Sequence, residues 1–309
     1  MRIGIGIGDV GGKPATIDDL IEQTQAAERD GFASAWFANI FGFDAILTAT
    51  VCARATSRIE VGTAVVPTYP RHPTAMAQQA MSAAAASGGR FTLGIGLSHQ
   101  LVIEGMFGLS FAKPYSHMRE YLAVLLPLLR EGKVAYEGNE FRVNATLDVP
   151  GAKPPSVLIA ALAPKMLALA GTVTDGTVTW MTGPKTLREH VVPRINEAAA
   201  QAGRPAPRVV AGLPIAVSDD VAAARETAGR IFQVYGVLPS YRAMLDREGV
   251  ENPGDVALVG DESAVGEQIA RLAEAGVTDL LASIFPVGKD PAASIARTRA
   301  LLVETLRRV

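Results

Sequence analysis

A single cysteine, Cys52, is all that the 309 residues contain, so an internal disulfide is excluded and no thiol framework points to an oxidising compartment. Its neighbours Thr50, Val51 and Ala53 mark a buried helix position rather than a reactive thiol. The four histidines, at 72, 99, 117 and 190, form no His-x-x-x-His pair, and without a second cysteine a metal centre is not expected. No apolar run is long enough to span a bilayer, and residues 1–7 enter a strand pattern directly, without a charged and then apolar leader. Neither a membrane partner nor a targeting segment is expected, and the cytoplasm is the expected compartment. Basic runs are also missing. Lys and Arg number 29 against 31 Asp and Glu, a formal charge of −2, which argues against nucleic acid and for a small-molecule substrate. The Gly-x-Ser-x-Gly elbow of serine hydrolases is absent. Gly4-x-Gly6-x-Gly8 and Gly94-x-Gly96 stop short of a Gly-x-Gly-x-x-Gly that opens a helix, which disfavours a nicotinamide dehydrogenase.

What remains is a core-forming chain with a regular rhythm. With 49% hydrophobic residues the chain can bury a large core. No Ser/Gly tract, charge block or solenoid-length repeat divides it, so one domain over 1–309 is expected. Eight strand-like runs, at 3–8, 33–37, 59–66, 90–99, 156–160, 176–180, 208–217 and 278–285, alternate with helical patterns. The helices are expected at 17–30, 43–56, 74–86, 117–131, 165–173, 185–202, 221–233, 261–275 and 291–308. Thr16, with Asp19 three residues on, starts the first of these as a capping box, and Gly31 stops it. Gly11-Gly12, past Asp9 at the end of the first strand, turns the chain. An α/β fold follows, a (β/α)8 barrel with insertions after strands four and seven, at about 98–155 and 235–260. The first insertion holds Phe107, Phe111, Tyr115 and a hairpin over 134–143 with its turn at Gly138-Asn139. It is either a lid or a cover of the barrel end. The second holds a short helix over 235–246 whose aromatic and Met residues are either core or the roof of a pocket.

The loops at the carboxyl ends of the strands are where such a barrel binds ligands. The stretch 59–73 is the most distinctive of them. Gly62-Thr63-Ala64-Val65-Val66 is apolar, yet Pro67, Pro70 and Pro73 follow within seven residues and must break strand pairing. Asn39 lies at the end of strand two, as a turn residue or a ligand contact. Ala160, Ala161, Leu162 and Ala163 precede a helix start, and Met181, Thr182, Gly183 and Pro184 precede another. Small residues there let backbone amides approach an anion, so the two helix N-termini either cradle a phosphate or are simply capped.

The succession Val61-Gly62-Thr63-x-Val65, Pro67, Arg71-His72-Pro73 and Gly89-Arg90-Phe91-x-Leu93-Gly94-Ile95-Gly96 resembles the bacterial luciferase-like superfamily, and within it the branch that uses the deazaflavin coenzyme F420. The match is specific over residues 59–99, while the strand and helix rhythm fits most of the chain. The resemblance implies a coenzyme F420-dependent oxidoreductase that transfers hydride to or from an alcohol, carbonyl or activated alkene. The alternative is an FMN-dependent monooxygenase of the luciferase-like type. It further implies a non-prolyl cis peptide at Ala64–Val65, and coenzyme contacts from Asn39, Thr63, Ala64, Val65, Gly96, Leu97, Ser98, residues 160–163 and residues 181–184. His99 stands where some deazaflavin dehydrogenases carry a glutamate that handles a proton, and serves either as proton carrier or as a hydrogen-bonding contact. Arg71, Lys165, Lys185 and Arg188 are candidates to meet the acidic tail of F420. Many deazaflavin relatives carry a histidine near Asn39, and its absence here sets this chain apart from the sugar-phosphate oxidisers. A homodimer is the expected assembly.

Overall fold

A computed structural model describes residues 1–8 and 15–307. Asp9, the Gly11-Gly12 turn and Arg308 lie outside the described residues. Eight parallel strands close into a barrel: β1 (Arg2–Gly6), β2 (Ser34–Phe37), β3 (Glu60–Thr63), β4 (Phe91–Gly96), β5 (Ser156–Ile159), β6 (Gly176–Trp180), β7 (Arg208–Val217) and β8 (Asp279–Ile284). Each pairs with its successor, and β8 returns to β1 with Arg2 beside Asp279. Helices follow the strands on the outside, as the alternating pattern required. The first, Ile17–Asp30, has the full capping box between Thr16 and Asp19 and ends at Gly31 in the left-handed region, φ 93°. Cys52 is buried in the helix Ala45–Arg54, as its neighbours indicated. Among the described residues no helix is long and apolar enough to cross a membrane.

The departures from the sequence expectation have local causes. Helices expected at 74, 117, 165 and 185 begin at Pro73, Pro114, Pro164 and Pro184, because proline lacks only an amide that the first turn leaves unpaired anyway. The helix expected over 185–202 contains a π-turn, Leu187–Val191, just before Pro193, which has no amide to give to the preceding turn. The helix expected over 43–56 runs Ala45–Arg54, with Asp44 as its cap. In the first insertion a short helix, Gln100–Gly105, precedes Pro114–Glu131, and the hairpin pairs Lys133–Glu137 with Arg142–Thr146. Its turn is the four residues 138–141 rather than Gly138-Asn139 alone, because the buried Glu120 carboxylate accepts from the Glu140 and Phe141 amides at 2.8 and 3.2 Å. In the second insertion the short helix is Pro239–Glu248, later than expected, and a further strand, Leu258–Gly260, extends the sheet beside the end of β7.

Side chains fill the barrel from one end only. At the amino ends of the strands Arg208 bridges Glu60 at 2.9 Å and Asp279 at 2.7 Å, while Arg2 reaches the same two carboxylates at 2.6 and 3.2 Å. Thr92 donates to Glu60 at 2.7 Å. Above this layer Trp36, Leu158, Val178, Val210 and Leu281 pack together. Trp36 fits because Gly4 and Gly62 face it: a Cβ on Gly62 would stand 2.5 Å from its ring, and one on Gly4 2.9 Å from its Nε1. The Ile-Gly alternation of the first strand thus makes room for an indole from the second.

Asp279 is 1% exposed, so removing its charge leaves the part-buried Arg208 beside half of its partners. Asp279→Asn is expected to cost about 3–5 kcal/mol of stability in urea unfolding, while Arg208→Met with Asp279→Leu together cost less than the single change.

Candidate functional site

The carboxyl end of the barrel carries uncharged inward positions where the amino end is plugged by ion pairs. Its inward positions on the strands are Gly6, Gly96, Trp180, Gly212, Pro214 and Ser283, continuing the inward register of the core layers. Ala64 and Val65 stand over the Trp36 layer, and their peptide is cis, as the resemblance implied. Backbone pairing between β3 and β4 ends at Gly62 and Thr92 and resumes only where Val66 and Pro67 meet Ile95 and Gly96. Glycines on β4 accommodate the intrusion: a Cβ on Gly94 would lie 2.0 Å from the Thr63 carbonyl oxygen, and one on Gly96 2.6 Å from Val65 Cγ2 and 3.2 Å from the Ala160 Cβ. Val65, Gly96 and Ala160 therefore adjoin in one floor of small side chains.

The structure places the other expected residues around that floor with unequal freedom. Leu97 and Ser98 leave β4, with Ser98 in the left-handed region at φ 61°. Met181 does the same past β6 at φ 51° and is fully buried, as are Thr182 and Gly183. Such conformations cost a non-glycine residue about 1–3 kcal/mol and persist where the surroundings enforce them. Asn39 braces the start of the next helix, its side-chain oxygen accepting from the Ala45 amide at 3.1 Å, so its oxygen is engaged within the turn. Leu162 accepts from His190 Nε2 through its carbonyl at 2.7 Å, which ties the 160–163 loop to the neighbouring helix.

The two helix starts differ. Ala163 begins Pro164–Val173 with no side-chain cap, and the Lys165 and Met166 amides find no acceptor among the described residues. At the other, the Glu248 carboxylate accepts from the Lys185 and Thr186 amides at 3.1 and 2.7 Å. A Cβ on Gly183 would lie 2.3 Å from that carboxyl group. Of the two-helix cradle, the half after Gly183 is thus already filled by the chain itself. Of the four cations suggested for a coenzyme tail, Arg71 is paired with Asp44 and Arg188 with Glu189, while Lys165 and Lys185 are exposed.

Both insertions lean over the mouth. From the first, His117 stacks on Tyr69 at 3.9 Å and its Nε2 lies 3.0 Å from Thr68 Oγ1, while the Tyr121 hydroxyl donates to the Arg71 carbonyl at 3.0 Å. Burial drives the His117 pKa down to about 4 and, helped by Glu140 and Glu104, pushes Tyr69 up to about 12. From the second, Tyr235 and Tyr241 join a chain of rings that runs from His99 through Tyr241, Tyr235, Trp180 and Phe232 to Phe285, with centroids 4.9 to 6.0 Å apart. The second insertion therefore roofs the mouth. Burial lowers the pKa of His99 and raises that of Tyr241, the latter with help from Tyr235, so both are neutral at pH 7. Sequence reasoning missed Trp180, Glu248 and Ser283, and had Tyr241 only among the aromatic residues of 235–246. Counting by twos along β6 and β8 would have found Trp180 and Ser283, whereas nothing local marks Glu248.

A family model described as luciferase-like monooxygenase matches residues 3–307. A 5,10-methylenetetrahydromethanopterin reductase of Methanolobus tindarius is 31% identical over 285 residues, covering 92% of this chain and 86% of that protein. Among solved structures, the coenzyme F420-dependent tetrahydromethanopterin reductase from Methanopyrus kandleri matches with a TM-score of 0.81 at 24% identity, covering 99% of this chain and 98% of that one. The oxygenating constituent of 3,6-diketocamphane monooxygenase from Pseudomonas putida, in complex with FMN, matches with a TM-score of 0.77 at 18% identity, covering 99% and 97%.

Glu248 holds the roof to the barrel through two amides. Glu248→Ala is expected to cost about 1–2 kcal/mol in thermal unfolding, and Glu248→Gln, which keeps an acceptor oxygen, less than half of that loss.

Proposed function

Because the chain belongs to the luciferase-like monooxygenase family, we propose that it exchanges hydride between the deazaflavin coenzyme F420 and a small organic substrate, an alcohol, carbonyl or activated alkene, at the carboxyl end of the barrel. The observation that carries this reading is the meeting of Val65, Gly96 and Ala160 at the strand ends, small residues that would leave a planar ring room to approach, with free amides at Lys165 and Met166 beyond the end of β5. Thr63, Ala64, Val65, Gly96, Leu97 and Ser98 back the ring in this proposal. Residues 160–163 and the amides that follow them hold its phosphate, and Lys165 is the exposed cation nearest in sequence to those amides. Residues 181–183 close the side of the site. The named dependence of the Methanopyrus kandleri reductase on F420 supports the choice of coenzyme. When bound, the deazaflavin supplies a ring carbon that gives or takes hydride.

The protein supplies the proton handling. His99, neutral because burial lowers its pKa, takes the proton from an alcohol during oxidation or returns it to the product oxygen during reduction. The roof residues Tyr235 and Tyr241 exclude water from the reacting pair. A second reading keeps the fold and places FMN on the same floor, with oxygen as co-substrate, and it is supported by the FMN complex of the Pseudomonas putida protein.

Coenzyme F420 is expected to bind at least about tenfold more tightly than FMN in fluorescence titration, with substrate turnover under strict anaerobiosis. Tighter FMN binding together with oxygen-dependent product would replace the deazaflavin reading by the monooxygenase. His99→Gln is expected to lower kcat by about 10²-fold or more at saturating substrate. Alcohol oxidation should rise with pH through a value below 6.5, the lowered pKa of His99, and level off by neutrality. A variant with near-wild-type kcat and the same pH profile would leave His99 as a contact only.

A further inference from the structure

The large apolar side chains that the fold leaves outside gather on one part of the surface. Ile40, Phe41 and Phe43 follow β2, and Leu47 lies on the outer side of the helix Ala45–Arg54 that comes next. Leu101, Met106 and Phe107 follow β4, on the short helix Gln100–Gly105 and the turn after it. All seven are between 40% and 71% exposed. The two stretches meet, because the Phe41 and Phe107 rings pack edge-on with centroids 6.4 Å apart. Together they make one apolar face on the rim of the barrel's carboxyl end, on the side of β2 and β4.

Its size points to a protein partner. With fully exposed side chains of this kind offering roughly 150–250 Å² each, the face presents on the order of 900 Å². The largest apolar patch of a typical monomer is about 300–600 Å², whereas each member of a stable protein pair buries about 800 Å². Its charges point the same way. The stretches 38–47 and 100–111 hold two charged residues, Asp44 and Glu104, and both are bonded within the chain. Asp44 pairs with Arg71, and Glu104 accepts from Gln100 Nε2 at 2.8 Å and from the Phe111 amide at 3.1 Å. Covering the face therefore strands no charge without a partner. Neither stretch carries a lysine or arginine to meet anionic headgroups, which disfavours a lipid surface. So apolar a face resembles the core of a permanent interface rather than a transient one, and the partner always at hand in equal amount is a second copy of the chain.

We propose that two copies pair through this rim, related by a twofold axis so that each buries the same face against the other. The pairing also braces the segment that leaves His99. The helix Gln100–Gly105 starts at His99, has six residues and has Ile103 as its one buried residue. A helix that short is not stable by itself, and the partner copy supplies its second packed side.

Sedimentation velocity at about 10 µM tests this with the wild type, Leu47→Asp, Leu101→Asp and, as a control at an exposed apolar position elsewhere, Val221→Asp. The wild type and the control are expected at twice the chain mass. The two rim variants are expected at the single-chain mass, each weakening the pair by at least about 100-fold. Both should keep the wild-type circular dichroism, since the substituted side chains face solvent in the single chain, and if one misfolds the other still decides. In hydrogen exchange the amides of 100–107 should be at least about tenfold better protected in the wild type than in Leu47→Asp, a substitution on the other stretch. A monomeric wild type overturns the proposal, as does a dimer that survives both rim substitutions or a control that dissociates as they do. Flotation of a monomeric wild type with phosphatidylcholine–phosphatidylglycerol vesicles would give the face to a lipid surface instead. Equal exchange of 100–107 in the dimer and in Leu47→Asp overturns the bracing of the short helix.

Discussion

Strand β3 can bend into the barrel only because β4 gives way to it. The Thr63 hydroxyl donates to the Gly94 carbonyl at 2.8 Å and accepts from the Gly94 amide at 2.9 Å, so one side chain replaces the ladder bonds that the bend breaks. Two further amides are also taken up, that of Ala64 on the Phe37 carbonyl at 2.8 Å and that of Thr68 on the Gly96 carbonyl at 2.9 Å. Such pairing helps an irregular backbone sit inside a barrel, where an orphaned amide is costly. The shape of the mouth follows from this lock. Val65 is held against Gly96 and Ala160, and the loop beyond it, Thr68 to Pro73, is clamped from above by His117 and Tyr121.

The two ends of the barrel solve opposite problems with the same register. At the amino end, inward positions carry Arg2, Glu60, Arg208 and Asp279, and their charges satisfy one another. At the carboxyl end the inward positions on the strands carry glycine, proline, one indole and one hydroxyl. Ion pairs plug the first end, while the inward positions of the second carry no charge. Backbone tension gathers at the carboxyl end, since Ser98 and Met181 are the two non-glycine residues with positive φ among the described residues. A stiff closed sheet beneath is what can hold such conformations.

Two insertions complete what the strands begin. The first buttresses the loop after the bend. The second adds Tyr235 and Tyr241 to a string of rings from His99 to Phe285 and is fastened by Glu248 to the amides of Lys185 and Thr186. That fastening leaves the helix start after Ala163 as the one with free amides of the two, so an anion has one well-prepared place to sit rather than two. Phe232 and Tyr235 pack edge-on against Trp180, which joins the rings to the barrel wall.

The strands, their order and most helices were legible because each depends on short-range features: runs of β-branched residues, Thr16 with Asp19, Gly31, and the prolines after Val66. The bend at Ala64–Val65 was legible only by resemblance, since no periodicity marks it. The sequence alone also pointed to strand ends, and Thr63, Val65, Gly96 and Ala160 do meet there. Tertiary structure decided everything that depends on which residues distant in sequence become neighbours. It brought Glu248 onto the helix start at Lys185, 63 residues away, and so filled one half of the expected two-helix cradle. It set Gly94 against Thr63, 31 residues apart, so that a Gly-x-Gly that looks like a weak phosphate motif is in fact clearance for a neighbouring strand. It sealed the Trp180 Nε1 and the Ser283 hydroxyl unpaired in the barrel interior, a property of their surroundings that no local pattern encodes, because hydrogen-bond satisfaction is settled only when the barrel closes.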